Sequence, residues 1–529
     1  MDTYTILNIA VVTLLFVLSA KYDIHMFQLS SYRYDRYFRW LFPKNIHTHA
    51  KWLLLLAALF ASVRISVAPC DDKDNAVFVP LVLLPAIAYI VYEIKARKGY
   101  KTPLVFTDRV KRLFTTALLL YAITLLLSSF FFMEDVAKAA ALLLLFSNAV
   151  VLLANVVNTP LEKAINRYYY NDAKKIIRSN KGLIVIGVTG SYGKTSTKNY
   201  LASILASKYN VLVTPGNYNT LLGVVRTIRE HLRPYHQVFI VEMGAKQRGD
   251  IKEICDLVCP SIGIVTAVGE MHLETFKCVE NIQKTKFELI NALPADGVGI
   301  MNVDSLLLRS YEGPLGVCRK ITYSVDAPSD YKAENVRYGA TGVTFSLSGK
   351  ERTYETRLLG AGNLLNILAS VVAADLLDVP LQKQKNAIAR LQPVEHRLSM
   401  RTGGGITVLD DAYNSNPMGA AMALDVLRNF NVGSDNKRIV ITPGFVEMGS
   451  RQYAANKELG TRIASSCDYV IVVNETNREA IAEGLAAAGM KTENIFLADT
   501  LNMAHAKLSS ILKVGDVVLY ENDLPDNFK

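Results

Sequence analysis

Apolar positions fall into two regimes along the chain. Up to residue 157 they come in long runs, at 5–20, 52–69, 76–92, 113–133 and 137–157. Each run is about 16–21 residues, near the ~20 that carry a helix across a ~30 Å hydrocarbon layer. The second is the weakest, because Arg64 interrupts it. The first lacks a basic leader and a small-residue cleavage site, and further apolar runs follow it, so a span fits it better than a secretory signal. Beyond residue 157 the pattern changes to short β-branched clusters at 183–188, 211–214, 238–243, 262–268 and 298–303. Between them, 194–207, 221–232 and 282–293 carry helical periodicity. Strands alternating with helices predict a mainly parallel sheet covered on both faces. A β-rich stretch at 320–358 and helices at 363–377 and 381–390 follow. A second α/β series then includes 406, 438–442, 469–473 and 517–520.

The expected architecture is an α-helical membrane region of about five helices (1–157) and a polar, helix-prone connector (158–181). Two α/β domains follow, at 182–392 and 393–529, split near 391–397. Charge adds a topology. Lys21, Arg33, Arg36, Arg39, Lys44 and Lys51 crowd the first inter-run loop, and Lys95, Arg97, Lys98, Lys101, Arg109, Lys111 and Arg112 the third. The second reads CDDKDN, and Glu134–Asp135 opens the fourth. The positive-inside rule places loops 1 and 3 in the cytoplasm, the N-terminus outside and the α/β part inside. A multi-pass protein of the cell membrane is expected, its basic loops meeting anionic headgroups rather than nucleic acid.

Composition agrees. Half of the 529 residues are hydrophobic, 20% are charged, and 58 Lys+Arg against 48 Asp+Glu give a net charge of +10. Mean hydropathy is +0.20. These values exclude a disordered chain, a disulfide scaffold and a simple soluble domain. The six cysteines form no CxxC pair, which fits a reduced compartment without structural zinc.

The first strand of the α/β part runs into Gly187-Val-Thr-Gly190-Ser191-Tyr-Gly193-Lys194-Thr195-Ser196, and a helix pattern follows. Glycines let backbone N–H groups converge on an anion and the helix N-terminus adds positive potential. Lys194 reaches the outer phosphates of a nucleotide, and the Thr195 hydroxyl meets Mg²⁺. The strict spacing is not met, since Val188 stands where a first glycine belongs. A nucleotide is the expected ligand, and the loop alone would allow a kinase, a GTPase or a transporter ATPase.

Further motifs narrow the choice: Thr214-Pro-Gly216-Asn217-Tyr-Asn219, Glu242-Met-Gly244, Gly269-Glu-Met-His272, Lys284-Thr-Lys286-Phe-Glu288, Glu395-His396-Arg397 and Asp410-Asp411-Ala-Tyr413-Asn414-Ser-Asn416-Pro417. In this order they resemble the Mur ligase family of ATP-dependent amide ligases, over about residues 182–520. The last motif is most similar to the branch that adds D-alanyl-D-alanine to a UDP-muramoyl-tripeptide. The resemblance implies a P-loop central domain and a Rossmann-like C-terminal domain. It also implies activation of a carboxylate as an acyl phosphate, with displacement by an amine. By the same resemblance Thr195 and Glu242 hold one Mg²⁺, and His272 holds a second together with Lys286 carried as a carbamate. Arg397 faces the γ-phosphate, Asp411 orients the nucleotide and Tyr413 packs on adenine. Asn302 and Asp304 match an N-x-D element near the nucleotide.

Three departures stand out. Apolar runs occupy the place of the family's UDP-sugar domain, a glycine-x-histidine-asparagine stretch reads Gly360-Ala-Gly362-Asn363, and a lysine-glycine-serine tract reads Tyr520-Glu521-Asn522-Asp523. The leading expectation is a membrane-anchored ligase joining an amino-acid or dipeptide amine to a carboxylate acceptor of cell-wall precursor synthesis. The alternatives are the same chemistry on a lipid-linked or polyglutamate-like acceptor, or a non-catalytic ATP-binding membrane scaffold.

Overall fold

The computed structural model describes residues 3–42, 102–131, 136–339, 341–413 and 415–524, with residue 55 and short helical pieces at 83–84, 86–92 and 94–95. The second apolar run apart from residue 55, residues 76–82 and 85 of the third, the 70–75 loop, Lys44, Lys51, Arg97, Lys98, Lys101, Glu134, Asp135 and Asn414 lie outside the described residues. The chain forms two compact units, Met1–Arg167 with Pro525–Lys529, and Tyr168–Leu524.

In the first unit the helices Thr3–Leu29 and Asp108–Phe131 realise the first and fourth runs, and both are long and apolar enough to cross a membrane. Leu119, Ile123, Leu126 and Phe130 of the latter are exposed, while Tyr121 stacks on Phe16 at 4.2 Å. The fifth run departs from expectation. Its helix stops at Leu145, and a second, Ser147–Ser179, leaves at 78°. Polar residues mark the break. Ser147 Oγ donates to the Asp23 carboxylate at 2.7 Å, and the Asn148 side chain accepts from Ala149 N at 2.8 Å. That second helix continues through Pro160 without a break, so the polar stretch expected as a connector is its extension.

The second unit holds two sheets. The first orders its strands β2-β3-β1-β4-β5-β6-β7-β8-β9, with β1 Ile184–Thr189, β2 Val211–Val213, β3 Val238–Glu242, β4 Ile262–Val265, β5 Val298–Asn302, β6 Arg319–Ser324, β7 Tyr331–Gly339, β8 Gly342–Leu347 and β9 Lys350–Thr356. Pairing is parallel from β2 through β7, and β8 and β9 add antiparallel hairpins. Strands β1, β3 and β4 are almost wholly buried because helices cover both faces. Lys194–Leu205 and Gly360–Leu376 pack on one face. Leu221–His231, Asp250–Val258 and residues 173–177 of the long helix pack on the other.

The second sheet runs β10-β11-β15-β12-β13-β14, comprising β10 Ser399–Gly403, β11 Ile406–Asp411, β12 Arg438–Thr442, β13 Tyr469–Val473, β14 Ile495–Ala498 and β15 Val517–Glu521. Only the β10–β11 pair is antiparallel. In the first sheet, β1 lies between β3 and β4, so the chain turns opposite ways on its two sides. Such a switch point opens a crevice beyond the carboxyl ends of the strands.

Candidate active site

The loop after β1 occupies that crevice. Gly190 (φ 157°) has no room for a side chain, since a Cβ there would lie 2.0 Å from Thr266 Oγ1 and 3.1 Å from Ala267 N. Gly193 (φ 80°) starts the helix Lys194–Leu205 in the left-handed region, with Asn366 Oδ1 2.5 Å from where its Cβ would be. Ser191 N bonds Ala267 O at 2.8 Å, and Gly269 N donates to Ser191 Oγ at 3.0 Å. The loop is thus tied to the segment after β4. Ser196 is buried beneath it. Lys194 Nζ folds back on Gly190 O at 2.8 Å and Ser191 O at 3.2 Å. Burial lowers its ammonium to about 8, against the pull of Glu242, and Arg397 adds to the lowering. A phosphate in the loop would supply the missing counter-charge.

Glu242 ends β3 and is 2% exposed. Its Oε1 accepts from Thr195 Oγ1 at 3.2 Å and Asn219 Nδ2 at 3.0 Å, and Lys198 Nζ lies 3.1 Å from Oε2. Burial would raise this carboxyl, but Lys198 and Lys194 outweigh it and hold it below its ordinary value. Mg²⁺ keeps few carboxylates and takes its remaining oxygens from substrate phosphates and water. A hydroxyl and an ionised carboxylate already in contact beside a phosphate loop fit that demand. Among the described residues, no three His, Cys, Asp or Glu side chains converge as a metal cage would need.

Lys286, on the helix Val279–Asn291, is 4% exposed. Burial, and then the nearby Lys194 charge, lower its amine to about 7. Half-neutral near pH 7, it is able to react with CO₂, and as a carbamate it would become an oxygen ligand. His272 (φ 53°) follows the Gly269 segment, and its Nδ1 lies 2.5 Å from Glu447 Oε2, beyond β12.

From the second sheet, Arg397 reaches far enough to act on Lys194 and stacks over the Tyr413 ring at 4.3 Å. Asp411 ends β11, where its Oδ1 accepts from Leu398 N at 2.9 Å. Burial raises its carboxyl to about 6, although Arg397 opposes this. Its register neighbour Glu521, fully buried against the Ser415 hydroxyl, is raised well above the carboxylate range by burial and then by Asp411.

The structure therefore gathers Gly190, Ser191, Gly193, Lys194, Thr195, Glu242, Lys286 and Arg397 around one crevice, with Asp411 and Tyr413 beside Arg397. Asn302 ends β5 and is buried. Its Nδ2 donates to Thr266 O and its Oδ1 accepts from Asp304 N, so it braces the crevice from behind. Asp304 caps the 325–327 turn. Sequence reasoning missed Lys198, one helical turn beyond Lys194, and Glu447, in the glycine-flanked loop after a buried strand. It also missed Asn219 as a partner of Glu242.

The chain matches the Mur ligase middle domain over residues 188–374 and the Mur ligase, glutamate ligase domain over residues 396–520. It is 31% identical over 360 residues to the UDP-N-acetylmuramoyl-tripeptide–D-alanyl-D-alanine ligase of Mycobacterium bovis, covering 64% of this chain and 70% of that protein. The Bacillus subtilis enzyme of the same name is 27% identical over 376 residues, covering 71% and 78%. Among solved structures, MurF ligase from Thermotoga maritima in complex with ADP aligns with a TM-score of 0.59 at 26% identity, covering 68% of this chain and 80% of that one. MurF from Acinetobacter baumannii shares the fold, with a TM-score of 0.60 at 23% identity over 68% and 77%.

Proposed function

The chain belongs to the Mur ligase family of ATP-dependent amide ligases, and from that premise we propose a MurF-like activity held at a membrane. The reaction joins a dipeptide amine, D-alanyl-D-alanine by likeness to the named relatives, to the terminal carboxylate of a muramoyl peptide. The observation that carries this reading is the convergence of the β1 loop, Glu242, Lys286 and Arg397 on one crevice at the switch point. In the proposed division, residues 1–157 form the membrane region, 158–181 a connector, 182–392 the ATP-binding domain and 393–529 the C-terminal domain.

ATP phosphorylates the acceptor carboxylate, releasing ADP. The amine then attacks the acyl carbon, expelling phosphate and losing a proton as the C–N bond forms. Backbone N–H groups of 190–195 and the Lys194 ammonium bind the phosphates, and Arg397 faces the transferring group. Asp411 and Tyr413 orient the nucleoside. Thr195 and Glu242 would hold one Mg²⁺, and His272 with carbamylated Lys286 a second. Bound there, the ions would neutralise charge on the phosphoryl oxygens.

The apolar helices ahead of the ligase unit favour a second reading, in which the acceptor is lipid-linked. Phosphate release by the detergent-purified full chain separates these readings. Release requiring both D-alanyl-D-alanine and a UDP-muramoyl-tripeptide is expected, and a requirement for a lipid-linked acceptor instead would select the second. ATP turnover indifferent to every amine and carboxylate would overturn both.

A further inference from the structure

We propose that Glu447 is a positioning residue for His272, supplied from the second sheet, so that the second metal site is completed only when the two sheets' loops meet. The inference rests on reading His272 as a metal ligand. The Glu447 carboxylate lies 2.5 Å from His272 Nδ1. A carboxylate can only accept there, so Nδ1 carries the proton and Nε2 presents its lone pair. Nε2 has no hydrogen-bond partner among the described residues. A histidine that ligates through one nitrogen while a carboxylate fixes the other is held in tautomer and ring orientation.

The contact is built rather than incidental. Both residues are non-glycine and left-handed, His272 at φ 53° and Glu447 at φ 62°, and such conformations persist only where the surroundings enforce them. Glu447 O accepts from Glu274 N at 3.3 Å, and Arg451 Nη1 pairs with Glu270 Oε1 at 3.2 Å. Leu273 and Phe276 share one buried cluster with Phe445 and Met448. Three kinds of contact thus seat the 443–451 loop on the 270–276 segment, and Glu447 is the member that touches the imidazole.

The test uses the full chain in detergent, loaded with a non-hydrolysable ATP analogue and titrated with Mn²⁺ under electron paramagnetic resonance. Imidazole nitrogen modulation separates the His272 ion from the one at Thr195 and Glu242. Glu447→Ala should weaken Mn²⁺ binding at that site about tenfold or more and diminish the imidazole signal. Glu447→Gln, whose amide oxygen still accepts the Nδ1 proton, should restore most of both. Arg451→Ala removes the neighbouring ion pair without touching His272 and should leave the imidazole signal in place. Parent-like Mn²⁺ affinity and signal in Glu447→Ala would overturn the proposal, as would equal signal loss in Arg451→Ala. His272→Ala tells the two failures apart. If it too changes nothing, the metal role of His272 is wrong, and if it alone abolishes the signal, only the role of Glu447 is.

Discussion

Replacing Lys198 by Met keeps the aliphatic stem and removes an ammonium that lies 3.1 Å from Glu242 Oε2 and donates to Thr214 O and Gly216 O at 2.8 Å each. Both charged side chains are 2% exposed, so little solvent screens the pair. Two unit charges about 3 Å apart attract by roughly 5 kcal/mol at an effective dielectric of about 20. Removing one partner of a buried pair costs about 3–5 kcal/mol, because the other is left uncompensated. Lys198→Met should therefore lower the melting temperature of the full chain, followed by circular dichroism in detergent, by at least about 5 °C. The pH dependence has a definite sign. Glu242 is held below its ordinary value in the fold, so its contribution is present above the unfolded pKa of about 4.3 and lost as pH falls through the folded one. The gap between parent and variant should be widest near neutrality and close in acid. Adding Glu242→Gln to Lys198→Met should recover part of the loss, with a coupling of at least about 1 kcal/mol. Losses that simply add would refute the pairing argument.

The raised Glu521 carboxyl disfavours the charged form in the fold, so its burden grows as pH rises from about 4 toward the folded value. Glu521→Gln keeps an acceptor for Ser415 and should stabilise the protein at pH 8 by roughly 1–3 kcal/mol, with no gain at pH 4, in parallel melts. At pH 7 about half of the Lys286 amine is neutral, against roughly one in 2,500 for an ordinary lysine. Labelled bicarbonate should therefore give a carbamate carbon resonance that Lys286→Arg lacks, and identical spectra would rule the modification out. Gly193→Ala forces a left-handed alanine, at about 1–2 kcal/mol, and drives its Cβ toward Asn366. Calorimetry should show ATP-analogue affinity falling about tenfold, and parent-like affinity would contradict the loop geometry.

The elements were legible because they answer to local rules. Alternation of β-branched runs with helical periodicity located β1–β5 of the first sheet and β11, β12, β13 and β15 of the second but not β14, and a strand–glycine–lysine sequence located the loop after β1. The interrupted fifth run was not legible from hydropathy, which registers Ser147 and Asn148 as minor lapses, whereas Ser147 bonds Asp23, 124 positions away in the chain. The contacts of Asn302 were hidden for a related reason: a motif position names a residue but not the groups its two polar ends will meet.

By itself the sequence determined the kind of chemistry, since the side chains able to bind phosphate, ligate a cation and carry a carbamate are fixed by residue type and by order along a strand-to-helix turn. Only the tertiary structure decided how those groups are charged and aimed. Lys198 meets Glu242 across 44 positions, His272 meets Glu447 across 175 and Asp411 meets Glu521 across 110. Burial and Coulomb interaction depend on distances in space, and sheet order sets these where chain order does not.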